Sequence, residues 1–275
     1  MMRAAVADGG LHEDRKDLAL ELRQLLSTAR SWPLPFAGSY VAFHGVFGNR
    51  LVIDVDPRQV THQFPPNRVI AGQNVAAADY FLGRGPWAPM LEPLDKSVIH
   101  REVAELLAHG GRYRGTAGYA ALVRRLEAGR PAIRNLQDLD SIARIDGYFE
   151  DLHRLIVSIR DNGYRRRPDY DGLESASDAA KASSPVRPVL VELMESEIGI
   201  GVDADGSLVR VGPGNHRMAI ARQLGLARVP VELRLFHAAW VRRQMAQGKG
   251  PLQSITAGVR RIGAKQQRNI SGDHP

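Results

Sequence analysis

Between Val209 and Leu233 the chain reads Val-Arg-Val-Gly-Pro-Gly-Asn-His-Arg-Met-Ala-Ile-Ala-Arg-Gln-Leu-Gly-Leu-Ala-Arg-Val-Pro-Val-Glu-Leu. This order of residue types leaves the backbone few choices. The apolar start predicts a strand, and Gly212-Pro213-Gly214 predicts a sharp turn, because glycine takes positive φ without steric cost. Asn215 is a preferred N-cap residue; Met218, Ala221 and Leu224 then share one side of a helix that Gly225 terminates. Val229-Pro230-Val231 opens a second strand. Free N–H groups at such a helix start, at the positive end of the helix dipole, favour a phosphate or carboxylate. Arg217 in the first turn adds a charged fork, and His216 adds a donor or proton-transfer group. The same residues also fit a purely structural reading: Asn215 caps, His216 sits at the core edge and Arg217 pairs with a distant carboxylate.

The rest of the composition narrows the setting. At 275 residues and 44% hydrophobic, the chain can bury one good core or two small ones. The first ten residues lack a secretory apolar run, and no stretch approaches the roughly 20 apolar residues of a membrane span, so a cytoplasmic protein is expected. Cysteine is absent, which removes disulfides, thiolate metal sites and cysteine nucleophiles. The nine histidines form no close pair of metal-ligand spacing, and no metal site is expected. Net charge is +7, of which +6 falls in the last 35 residues. The segment 241–275 therefore reads as a basic, flexible tail able to hold nucleic acid in a salt-dependent way, on a nearly neutral body.

Periodicity places the remaining elements. Leu18, Leu22, Leu25, Leu26 and Ala29 predict an amphipathic helix over 14–30. Residues 40–47 and 51–55, around Gly48-Asn49-Arg50, predict two strands of a hairpin. The stretch 61–93 reads as loop with a short strand, and its Trp87 as an anchor into the core. Helices are predicted over 95–109, 116–128 and 138–162, each ended by glycine. Residues 168–187 read as a mobile connection, a lid or an idle excursion. Short strands follow over 189–193, 198–202 and 208–211, the last two joined by the turn at Asp205-Gly206.

Taken in order, Ser158-Ile-Arg-Asp-Asn-Gly-Tyr164, Asp205-Gly206, Gly214-Asn-His-Arg217, Gly225-Leu226 and Val229-Pro-Val231 resemble the ParB/sulfiredoxin-like superfamily over about residues 138–240. Gly85-Pro86-Trp87 and the region from Tyr113 to Gly129 resemble a little-characterised ParB-like subgroup with an N-terminal helical extension. The resemblance implies a nucleotide, ATP or CTP with Mg²⁺, its phosphates lined by Gly212, Gly214, Asn215, His216 and Arg217. Sulfiredoxins place a catalytic cysteine where this chain has Asn215, so their chemistry is excluded. Relatives with the His-Arg pair carry an aspartate before the motif glycine; here Pro213 occupies that place. Of the nearby acids Glu192, Glu195, Glu197, Asp203 and Asp205, Glu197 is the chosen substitute. It would accept a proton from a small hydroxyl-bearing acceptor or help hold Mg²⁺, with His216 as its catalytic companion.

The expectation is thus an α+β protein. A mainly helical N-terminal region with a hairpin (1–137) precedes a small mixed sheet with packed helices (138–240), and the basic tail follows. Two other readings stay open: a non-enzymatic ParB-like module contacting nucleic acid or protein, and a degenerate copy of the fold, to which Pro213 is suited. The short tail contains no helix-turn-helix of the kind that reads DNA.

Overall fold

The strand after the glycine turn runs well past its first apolar residues: Val229–His237 extends for nine residues, all of them buried. In the computed structural model, which describes residues 9–66, 68–134, 137–166, 197–247 and 250–271, this strand lies at the centre of an eight-stranded mixed sheet. In chain order the strands are β1 (Phe36–Ser39), β2 (Val52–Val55), β3 (His62–Gln63), β4 (Arg68–Ile70), β5 (Gln73–Val75), β6 (Tyr80–Gly83), β7 (Glu92–Pro93), β8 (Ala132–Arg134), β9 (Gln137–Leu139), β10 (Ile198–Val202), β11 (Leu208–Arg210) and β12 (Val229–His237). The helices, with short 3₁₀ turns between them, are α1 (Gly9–Thr28), α2 (Tyr40–Phe47), α3 (Val98–Ala108), α4 (Ala117–Glu127), α5 (Ile142–Asn162), α6 (Asn215–Gln223), α7 (Ala238–Met245) and α8 (Pro251–Ser271).

Sheet order is β1-β6-β12-β10-β11-β3-β7, and β2 pairs with the first half of β12. On one edge β12 lies parallel to β10, with Val231 opposite Ile198. On the other edge it runs antiparallel to β2 and then parallel to the end of β6. The hairpins β4–β5 and β8–β9 stand apart from this sheet. Strands from both sides of residue 137 therefore interleave in one sheet, across the boundary expected there. The physical reason is that β10–β12 alone would leave one edge of β12 with unpaired backbone N–H and C=O groups, which β2 and β6 pair.

Neighbouring residues on a strand face opposite ways, and the cores follow that alternation. Leu208, Val231, Leu233 and Phe236 join a core with α1, α2, α7 and α8. Val209, Val211 and Leu235 join a second core with Phe64 and Trp87 on the other face. A third core lies among α3, α4 and α5, built from Val103, Leu122, Ile145, Phe149 and Ile156. Helix α6 is shared: Met218 and Ala221 enter the sheet core, while Ala219 and Ile220 enter the helical one.

The three middle helices fall where periodicity predicts, with Thr116 and Ser141 capping α4 and α5 by accepting N–H bonds from the third residue on. Three expectations are corrected. Residues 40–47 are helix α2 rather than a hairpin strand: Tyr40, Phe43 and Phe47 are buried at helical spacing, and packing of that face overrides the strand preference of aromatics and valine. Residues 61–93 hold five short strands, and Trp87 is 1% exposed. Within the expected tail, residues 251–271 form helix α8, which buries Ile255 and Val259 in the sheet core. Each of those side chains contributes about 1.5–3 kcal/mol on burial. The small residues between them hid the stripe. The 168–187 connection and the 189–193 strand lie outside the described residues. Among the described residues no helix is long and apolar enough to cross a membrane.

Candidate anion-binding site at the glycine turn

The turn between β11 and α6 is clasped by β10. Val211 N–H donates to Gly199 O at 2.9 Å, and Gly199 N–H donates to Pro213 O at 3.1 Å. A Cβ on Gly199 would stand 2.1 Å from Val211 O, and one on Gly214 2.8 Å from Ile198 Cα. Gly212 and Gly214 both hold positive φ, 76° and 84°. These positions accept only glycine, since a side chain would be strained or would displace backbone. Pro213 lies within the clasp, so its place before Gly214 serves packing where a carboxylate was expected.

Gly214, not Asn215, is the N-cap of α6, and no side chain caps it. Asn215 is already helical, because the left-handed glycine lets the chain enter the helix one residue early. The Asn215 Oδ1 is buried without a hydrogen-bond partner. Arg217 Nη1 donates to the Tyr164 hydroxyl at 2.9 Å, and that hydroxyl donates to Glu197 Oε2 at 3.0 Å. The Arg217 and Glu197 groups themselves lie 3.6 Å apart. Glu197 and Arg217, 20 positions apart in the chain, are thereby joined beside the start of α6. Tyr164 reaches them because Gly163 ends α5 in positive φ. The Arg217 side chain keeps 21% exposure, against 5% for Glu197.

His216 lies elsewhere. Its Nε2 is 3.0 Å from the Tyr148 hydroxyl, which donates to Glu102 Oε2 at 2.6 Å, and Arg134 donates to Glu102 Oε1 at 3.0 Å. Tyr148 has a single proton and gives it to Glu102, so Nε2 carries the hydrogen in the His216 contact. Burial first, then the charges of Arg134 and Arg210, push the His216 pKa down to about 4. The Tyr148 pKa is raised by burial and by Glu102. A neutral imidazole turned toward α5 fastens the turn to the helical core. The His216 side chain, expected among the phosphates as a catalytic group, thus contacts Tyr148 of α5, while its backbone N–H stands at the start of α6.

Two arginines that sequence reasoning passed over also frame the turn. Arg210 on β11 is 2% exposed and donates to Gln63 Oε1 at 3.0 Å and to Gly212 O, while Gln63 donates to Glu92. Burial lowers its pKa to about 10, opposed by Glu92. Arg234 is the extra residue where β12 slips one register past β10, between the pairs Ile200–Leu233 and Gly201–Leu235. Its guanidinium stacks 3.8 Å from the Tyr40 ring, and its Nη1 comes within 3.9 Å of where a Gly212 Cβ would stand. Only the interruption of the apolar pattern in Val-Arg-Val and Glu-Leu-Arg-Leu signals these cations.

Among the described residues no three His, Asp or Glu side chains gather as a metal-ligand group. The donors at the turn suit an anion: backbone N–H groups and Arg217, with Glu197 as the neighbouring carboxylate. A Mg²⁺ fits here as an ion carried by a nucleotide's phosphates, since such ions commonly need only one or two protein carboxylates. Compared with known proteins, the chain matches no family model, no curated protein and no solved structure.

Proposed function

We propose that the protein binds a nucleoside triphosphate, ATP or CTP with Mg²⁺, through its phosphates at the Gly212–Arg217 turn. The observation that carries this reading is the uncapped start of α6 set beside the Arg217–Tyr164–Glu197 chain. N–H groups at a helix start and a partly exposed guanidinium together make a charge-complementary seat for phosphate oxygens. The buried, unpartnered Asn215 Oδ1 adds a polar group that a ligand donor can satisfy. The nucleotide class comes from the resemblance of residues 138–240 to the ParB/sulfiredoxin-like superfamily.

Glu197 supports phosphoryl transfer to a small hydroxyl-bearing acceptor. The acceptor oxygen bonds to the terminal phosphorus, its proton passes to the Glu197 carboxylate, and the bond to the departing nucleoside diphosphate breaks. Mg²⁺, when bound with the triphosphate, neutralises phosphate charge. Tyr164 and Arg217 orient the carboxylate. His216 positions the turn through Tyr148.

The test is titration of ATP, CTP and GTP with Mg²⁺ into the full chain and into Arg217→Ala, read by calorimetry and melting temperature. One nucleotide is expected to bind the wild type, with affinity falling at least about tenfold in the variant. Failure of all three to bind or stabilise the wild type overturns the reading. For transfer, Glu197→Gln is expected to keep nucleotide affinity while slow diphosphate release, with water as acceptor, drops about a hundredfold.

One further observation favours contact with nucleic acid as a second reading. Arg261, Lys265 and Arg268 are exposed at helical spacing on α8, and the sequence 251–271 has no acidic residue. That stripe can follow a phosphate backbone without base specificity.

A further inference from the structure

At the other end of the sheet the parallel strands β6 and β12 finish side by side, Leu82 opposite Phe236 and Gly83 opposite His237. Just beyond them lies a cavity of about 250 Å³ lined by Ala29, Arg30, Arg84, Gly85, His237, Ala238, Ala239 and Arg242. Every charged residue in that lining is an arginine. Among the described residues none of the three forms an ion pair: the carboxylate contacts of the fold involve other cations.

Local bonds account for part of each neighbour's position and leave donors over. One Arg84 Nη donates to Trp32 O, and one Arg242 Nη donates to Leu26 O. Arg84 Nε is buried with no acceptor. A guanidinium has five N–H donors, so each of these two still has several to place. His237 ties the walls together: its Nδ1 accepts from Ala239 N–H at 3.1 Å, and its Nε2 donates to Gly85 O at 2.9 Å. Three guanidiniums lining one small cavity make a locally positive surface that suits an anion. The setting at the carboxyl ends of parallel strands is also where ligands of α/β sheets commonly sit.

We propose that this cavity is a second binding site, for a small phosphoryl anion: inorganic phosphate or a compact phosphate monoester. Arg30, Arg84 and Arg242 hold its oxygens. The volume lies just below the roughly 300–1,000 Å³ of drug-sized ligand pockets, which fits a phosphoryl group with little attached. The site is separate from the glycine turn. Val231, level with the turn, and His237 stand six positions apart along β12, a span of about 20 Å.

The probe is inorganic phosphate, titrated at constant ionic strength into the full chain and followed by calorimetry and melting temperature. The Arg30 side chain makes no hydrogen bond among the described residues and is exposed, so Arg30→Gln is the variant that leaves packing intact; Arg84→Gln and Arg242→Gln extend the series. Phosphate is expected to raise the melting temperature of the wild type and of Arg217→Ala alike. Its affinity is expected to fall about tenfold in Arg30→Gln and further in the other two. A monoester such as glycerol phosphate competing for the same site would assign the natural ligand to that class, whereas phosphate binding without competition would assign the free ion. No stabilisation of the wild type by phosphate, or equal affinity in wild type and Arg30→Gln, overturns the proposal. Loss of phosphate binding in Arg217→Ala with retention in Arg30→Gln overturns it too, and places phosphate at the turn instead.

Discussion

A single methyl group tests how tightly β10 grips the turn. In Gly199→Ala the new carbon would meet Val211 O at 2.1 Å, so the strand or the turn must shift; a loss of about 3 kcal/mol or more is expected in urea unfolding. Gly147 on α5 has open space where its Cβ would stand, and Gly147→Ala is expected to raise stability by about 0.5–1 kcal/mol. Equal effects of the two substitutions would contradict the clasp. His216 gives a pH dependence of definite sign. Its folded pKa of about 4 lies below the ordinary 6.5, and His100, buried near Arg222 and Arg210, is likewise pushed down to about 4. The unfolded chain takes up these protons first. Stability is therefore full above pH 6.5 and declines as pH falls toward 4, by about 3 kcal/mol at most for each imidazole. His216→Gln keeps a donor for Tyr148, and between pH 7 and pH 4.5 it is expected to lose less stability than the wild type. An undiminished loss in that variant would show that His216 is not buried in its neutral form.

Among the elements, α8 separates two readings of the same residues most sharply. Ile255→Ala is expected to cost about 2–5 kcal/mol, and removal of 251–275 to abolish cooperative unfolding, because both expose the sheet core. A dispensable tail would leave the urea midpoint unchanged. Replacing Arg261, Lys265 and Arg268 by glutamine should leave stability within about 0.5 kcal/mol and lower the salt dependence of any DNA binding by about three ions. How much the sequence disclosed varied by element in the same way. α3, α4 and α5 were legible because each turns one apolar face to a single shared core, so a single 3.6-residue period survives. The glycine turn was legible because positive φ selects its residues. α2 was not: its aromatics satisfy a strand pattern as well as a helical one, and only the packed neighbours decide. Glu197 and Arg217 could be named as candidates, but Tyr164 between them, and Tyr148 between His216 and Glu102, were masked as ordinary members of a helix and its end. Arg210 and Arg234 were missed because buried cations on strands depend on partners distant in the chain, such as Gln63 and Tyr40.

The whole molecule is organised by interleaving. β12 takes β10 on one edge and β2 and β6 on the other, so neither half of the chain completes the sheet. A fragment of residues 138–247 is expected to lack a cooperative thermal transition and to bind hydrophobic dye, while the full chain unfolds in one step. An independently folded fragment, with sharp near-ultraviolet dichroism, would restore the boundary at 137. The shared position of α6 has a mechanical corollary. A helix wedged between two cores cannot tilt without disturbing both, so a ligand pulling on its first turn loads the sheet and the helical layer at once. Amide hydrogens of β12 and of α5 should then slow their exchange together when the turn is occupied, as one stiffened body in which α6 is the axle.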